Sequence, residues 1–276
     1  MRRILIAAAA LGGLVAIAGC GASGQGQEIQ AKPMAATKAL AQSAEKVNGV
    51  SSYSADLVLD FSDGQQGAGH VQGTMLYQKD PLSTDVNLSQ VTYGGQAVPG
   101  GIRMITQGDI AYVKLDMLKT LVGATKPWIK LDLKQMAERG GVNVDQLIGQ
   151  AKQLDLQTAV AMLTASKDVK PAGTESVGGV DTTHYTGTFP VDAALKMLDP
   201  ATQDKVKGQL ESVKDMKFDA WIDGQGLPRK IGLAGGDGQG TFKATMLFKA
   251  FNEQVSIETP PAGEVGEMPQ NINMGN

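Results

Sequence analysis

The chain has 276 residues, 42% of them hydrophobic and only 5% aromatic, with 35 glycines, 12 methionines and a single cysteine. Its formal charge of −3 includes Arg2 and Arg3; without them, 23 basic residues face 28 acidic ones, spread without long runs of either sign. This balance excludes the clustered basic face of a nucleic-acid partner and electrostatic docking on anionic lipid, and one cysteine excludes an internal disulfide.

The first segment, 1–19, reads as a secretory signal peptide. Met1-Arg2-Arg3 is a basic start, Ile4 to Ala16 an apolar core, and small residues close it. A membrane span needs about 20 apolar residues, so the run is too short to be a good one. Arg2-Arg3 is an ordinary basic start, because the residues around it do not support a twin-arginine signal. Ile17-Ala18-Gly19-Cys20 resembles the lipobox of bacterial lipoproteins. That resemblance implies that Cys20 is diacylated and begins the mature chain, on the extracytoplasmic face of the cell membrane. Two acyl chains give stable anchoring where one gives only marginal binding. Residues 20–32 follow as a lipidated cysteine and flexible tether; Gly21 to Gln30 is rich in Gly, Ser and Gln. Such a tether reaches about 15–20 Å.

A domain is expected over 33–261. Pro33 marks a helix start and Asn48-Gly49 its stop, with Ala36, Leu40, Ala44 and Val47 on one stripe. From Ser51 the period becomes two. Tyr53, Ala55, Leu57, Leu59 and Phe61 alternate with polar residues, as do Val71, Gly73, Met75 and Tyr77, and then Thr84, Val86 and Leu88. Gly94 to Gly101 reads as a loop too glycine-rich for structure. Ile102 to Gln107 and Ile110 to Leu115 form a hairpin about Gly108-Asp109. Five strands joined by short turns make an antiparallel meander.

Trp128 to Leu131 adds a short strand. Val144, Leu147, Ile148, Ala151 and Leu154 then follow helical spacing, and Asp155 caps a second helix with Leu156, Val160 and Leu163. Val169 to Val177 and Val180 to Phe189 form a hairpin about Gly178-Gly179. Helices are expected over Pro190 to Leu198 and from Asp199-Pro200 through Val213. Strands return around Phe218, Ala220 and Ile222, over Arg229 to Ala234, and at Phe242, Ala244, Met246 and Phe248. Val255 and Ile257 suggest a last edge strand, and the aperiodic 262–276 a disordered tail. So many antiparallel strands must twist and curl. The expected fold is α+β, an incomplete antiparallel barrel with helices covering its concave face.

No catalytic or metal-binding constellation is present in the sequence. His70 and His184 lie in strands as satisfied or exposed histidines, and no nucleophile elbow or P-loop occurs. The Asp-Gly-Gln triplets at Asp63, Asp223 and Asp237 are turn chemistry rather than calcium ligands. The reading is of a non-enzymatic protein without a cofactor.

Val177-Gly178-Gly179-Val180-Asp181-Thr182-Thr183-His184-Tyr185, Trp221-Ile222-Asp223 with Gly226-Leu227-Pro228, and Phe251 to Ala262 resemble the LppX/LprG-type lipoproteins of actinobacteria. The chain departs from their pattern at Gln254, where they usually carry Pro. The resemblance covers roughly Pro33 to Ala262. It implies a LolA/LppX-like half-barrel with a hydrophobic cavity under its helices. It also implies an envelope carrier or chaperone for acylated lipids or glycolipids. The alternative is a sensor or adaptor of the envelope that binds a protein partner. If the sheet curls, the cavity is lined by Leu57, Leu59, Phe61, Met75, Tyr77, Val86, Leu88 and Met104. Phe218, Ala220, Ile222, Ala244, Met246 and Phe248 continue it, and Leu147, Ile148, Val160 and Leu163 face them from the helices. Small Ala220 and Ala244 and flexible methionines would leave adaptable room.

Overall fold

The computed structural model describes residues 33–63, 67–117, 123–135, 156–196, 215–236 and 240–267. All fall within one compact unit, Ala31–Asn276. Helix α1 spans Pro33–Val47. Strands β1 (Ser52–Asp63), β2 (Gly67–Gln78), β3 (Ser83–Tyr93), β4 (Gln96–Ala97), β5 (Ile102–Gln107), β6 (Ile110–Leu115) and β7 (Trp128–Asp132) follow. Next come α2 (Leu156–Leu163), β8 (Lys170–Val177), β9 (Val180–Pro190) and α3 (Val191–Leu195). The chain continues through β10 (Asp215–Asp223), β11 (Pro228–Gly236), β12 (Gly240–Phe251), a 3-10 turn at Ala262–Glu264 and β13 (Val265–Glu267).

The strands form one sheet in the order β13-β7-β6-β5-β3-β2-β1-β12-β11-β10-β9-β8, with β4 on β3. The centre is therefore a pairing of β1 with β12, two 12-residue strands from opposite ends of the domain. The outermost strands β13 and β8 do not meet, so the curled sheet stays open. Its β8 edge carries Pro171 and a register break at Gly173 (φ +137°), features that discourage pairing with another chain. Thus the architecture is the one that the lipoprotein resemblance implies.

Three expectations are corrected. Residues 94–101 are not all loop, because Gln96 and Ala97 pair back with Tyr93 and Thr92. Val255 and Ile257 lie in no strand. The last strand is β13, inside the stretch expected to be a disordered tail, and it runs parallel to β7 rather than antiparallel. The segment between β12 and β13 is fixed by side chains instead of a ladder. Asn252 Oδ1 accepts from the Ser51 backbone N–H at 2.8 Å, Ser52 Oγ donates to the Glu253 carbonyl at 2.6 Å, and Gln107 Nε2 donates to the Ile257 carbonyl at 2.6 Å. Helices expected over 143–154 and from Asp199 onward lie outside the described residues.

The core sits where α1 and α2 meet the sheet. Ala36, Leu40, Ala44 and Val47 recur every third or fourth residue on α1, and Leu156, Val160 and Leu163 do so on α2. They bury against Tyr53, Ala55, Phe218, Ala220, Ile222, Ile231 and Phe248. Each of these sheet residues points to the same side, since strand side chains alternate.

Candidate functional site

Pairing register settles which strand residues share the helix-bearing face. Leu59 stands between Val71 of β2 and Ala244 of β12, and Leu57 between Gly73 and Met246. Met75 pairs with Val86, which pairs with Met104. Continuing outward, Met246 pairs with Ile231, and Ile231 with Ala220. Every strand residue expected to line a cavity lies on this one face. From Ala55 to Phe61 on β1, Gly69 to Tyr77 on β2 and Phe242 to Phe248 on β12, none of the alternating positions facing this side is charged. Leu147 and Ile148 lie outside the described residues.

Burial divides the face in two. Phe218, Ala220, Ile222 and Phe248 join Val160 and Leu163 in closed core, none more than 6% exposed. Met75, Tyr77 and Met246 are half-buried along the border of that core. Leu57, Leu59, Phe61, Val86, Leu88 and Ala244 are half-buried, and Met104 is 41% exposed. The closed part lies along β9 to β11 and at the Tyr53 end of β1, where α1 and α2 pack. The open part runs from β1 across β2, β3 and β5.

Aromatic rings mark both ends of the open part. At the closed border Tyr53 stacks on Tyr77 with centroids 4.8 Å apart and meets Phe248 edge-on at 5.5 Å. At the other end Phe61 stacks on Tyr93 at 5.9 Å. The lining expected from sequence leaves out Val71, Tyr93, Ile102 and Leu233 of this face, although Val71 stands in the same alternation as Met75 and Tyr77. Alternation alone could have supplied Val71, Ile102 and Leu233. Tyr93 required the true length of β3.

The opposite face holds both histidines and most of the strand charges, while Arg229 reaches over the Phe251 ring at 5.4 Å beside the core. His70 Nδ1 is 2.7 Å from Asp60, and His184 Nε2 is 2.7 Å from Asp219. Trp221 is wedged here, stacked on His184 at 4.3 Å, under Lys230 at 4.0 Å, and donating from Nε1 to Glu175. Asp223 accepts from the backbone N–H groups of Gln225 and Leu227 and from Arg229 Nε at 2.7 Å, so it is a turn organiser, as the sequence suggests. Arg103 is raised above its ordinary value by its hydrogen bond to the Asp85 carboxylate. Among the described residues no group of three or more His, Cys, Asp or Glu could hold a metal ion. No helix there is long and apolar enough to cross a membrane. On the helix-bearing face the titratable group of note is Tyr185, whose hydroxyl is pushed up by burial.

Two hollows lined by described residues touch both β1 and β2. One, of about 470 Å³, lies where Glu175, Ser176 and Val177 of β8 overhang Val58, Gln72 and Leu247. The other, of about 900 Å³, sits at the hairpin end of β1, β2, β11 and β12 and is lined by Phe61, Gly69, Gly235 and Phe242 together with Asp60, His70 and Lys243.

No protein-family model matches the chain. It is 28% identical over 254 residues to an uncharacterized 31.2 kDa protein of the rplA–rplJ intergenic region of Streptomyces griseus, covering 90% of this chain and 80% of that protein. Among solved structures it is similar to the lipoprotein LppX of Mycobacterium tuberculosis, with a TM-score of 0.47 at 17% identity over 82% of this chain and 100% of that one. It is similar also to LprF of Mycobacterium bovis, with a TM-score of 0.47 at 13% identity over 82% of this chain and 97% of that one.

Proposed function

We propose that this protein binds acylated lipids or glycolipids on its helix-bearing face and carries them at the outer side of the cell membrane, to which Cys20 anchors it. One observation carries the reading. A continuous apolar surface, uncharged from Ala55 to Phe61 and on its partner strands, stays half-buried when the neighbouring surface is packed shut. Exposed apolar patches of this kind mark binding surfaces, because leaving them wet costs about 25 cal/mol per Å². An acyl chain matches such a surface: it offers length and no polar group to satisfy. Both histidine–aspartate pairs lie on the other face, which suits a carrier role for this one.

Photo-cross-linking tests this. The full chain is reconstituted in phosphatidylglycerol vesicles containing a diacyl phospholipid with a diazirine in one acyl chain, irradiated and digested. Label is expected on peptides of β1, β2, β3 and β12. Label confined to residues next to Cys20, with the sheet unlabelled, would overturn the reading. Specific capture of one envelope protein by the unlabelled sheet would put the adaptor reading in its place.

A further inference from the structure

The hairpin end of the helix-bearing face is built as one row across five neighbouring strands. In register it reads Tyr93 on β3, Gly69 on β2, Phe61 on β1, Phe242 on β12 and Gly235 on β11. At a strand spacing of about 4.8 Å the row is roughly 19 Å wide. Glycine is a poor strand former, and inside a strand it often marks a place where something approaches the backbone closely. Here the something is a ring. A Cβ built on Gly69 would lie 2.1 Å from Phe61 Cζ, and one on Gly235 would lie 2.8 Å from Phe242 Cε1. Both phenylalanines therefore lie down across their glycine neighbours instead of standing on the sheet.

The two ends of the face differ for this reason. At the far end Tyr53 and Phe248 are at most 3% exposed and sealed beneath the packed helices. At the glycine row the aromatic side chains are held low, and Tyr93, the outermost, is 40% exposed. From Phe61 to Ala55 the strand runs about 20 Å, long enough for a long-chain acyl group to lie along it.

Resting on the lipid-binding reading above, we propose that this row is the sill over which the acyl chains of a diacyl lipid enter the face. Gly69 and Gly235 set its height by letting Phe61 and Phe242 lie flat. Laying rings over glycine also stabilises a sheet. The two roles separate experimentally, because only a sill depends on where the displaced ring goes.

The test uses the full chain and the same diazirine-labelled phospholipid in phosphatidylglycerol vesicles. Gly69→Ala, Gly235→Ala and their combination should each raise a ring into the path and lower labelling of β1 and β12, the combination to background. Adding Phe61→Ala to Gly69→Ala should restore labelling, although it removes still more packing. Phe61→Ala alone introduces no clash and takes the ring off the sill, so it should label β1 and β12 more strongly than wild type; labelling no higher than wild type would overturn the sill, which keeps the idea testable if the alanine variants lose their cooperative melt. Wild-type labelling of folded Gly69→Ala/Gly235→Ala would overturn the sill and leave the lipid reading standing, and so would a failure of Phe61→Ala to rescue. A wild-type face that never labels would overturn both.

Discussion

Ala220 and Ala244 stand on the same face of the sheet and invite the same substitution, leucine, with different consequences. Ala220 is 1% exposed, between Ile231 and Tyr185 in register and within a cluster that holds Phe218 and Phe248. Leucine there adds three carbons to a closed core, and overpacking of that kind costs about 1–3 kcal/mol. For a domain of this size each kcal/mol moves Tm by about 2–4 °C, so Ala220→Leu should melt about 2–12 °C below wild type. Ala244 is half-buried between Leu59 and Leu233. Leucine there enters a partly solvent-exposed position and should cost less stability than at Ala220, while reducing capture of an acyl probe. Urea unfolding followed by tryptophan fluorescence measures both, and an unchanged m-value would keep the comparison on stability alone. Ala220→Leu as stable as wild type would mean that room remains beneath α1 and α2, and the division of the face into closed and open parts would be wrong.

Cys20→Ser should move the protein from the membrane to the soluble fraction with its melting curve unchanged; mature-size protein still resisting a salt wash would contradict lipidation. Ser43 Oγ on α1 is fully buried without a hydrogen-bond partner among the described residues, so Ser43→Ala should stabilise the fold by about 1 kcal/mol, and a loss of stability would mean that the hydroxyl is satisfied after all. The Asp168 carboxyl is held below its ordinary value chiefly by the Thr188 backbone N–H, with the Thr188 and Ser166 hydroxyls adding to it. Its contribution is therefore complete above the unfolded carboxyl pKa of about 3.9 and is lost as pH falls through the lower folded value. Asp168→Asn should destabilise the fold at pH 7 by an amount kept small by the solvent around this exposed carboxylate, and little at pH 2; a difference that grows toward acid would reverse the assignment.

Much of this was legible in the chain. Period-two alternation located β1, β2, β5, β6 and β10 to β12, and it placed Leu57, Leu59, Met75, Val86 and Met246 on a common face before any pairing was known. Helix α1 announced itself by Pro33, its stripe and Asn48-Gly49. Burial was another matter. Ala220 and Ala244 occupy equivalent places in their alternations, and only the position of α1 and α2 over the sheet distinguishes them, a long-range arrangement with no local signature. The same holds after β12. Val255 and Ile257 alternate like a strand, yet their segment is held by Ser52 and by Gln107, contacts spanning 201 and 150 residues. The glycine row is a third case. Gly69 and Gly235 fall just outside the alternations that begin at Val71 and end at Ala234, and only register sets each beside a phenylalanine.

The claim that acyl chains occupy the open face is tested most directly by native mass spectrometry of the full chain extracted from the membrane of its own cells. The account predicts two separable lipid masses: acyl groups fixed covalently to Cys20, and a further acylated lipid that leaves on collisional activation. That second mass should be lost in Leu59→Asp, a charge set in the middle of the open face. Finding only the covalent acyl groups on wild-type chain, or a dissociable lipid indifferent to Leu59→Asp, would contradict it.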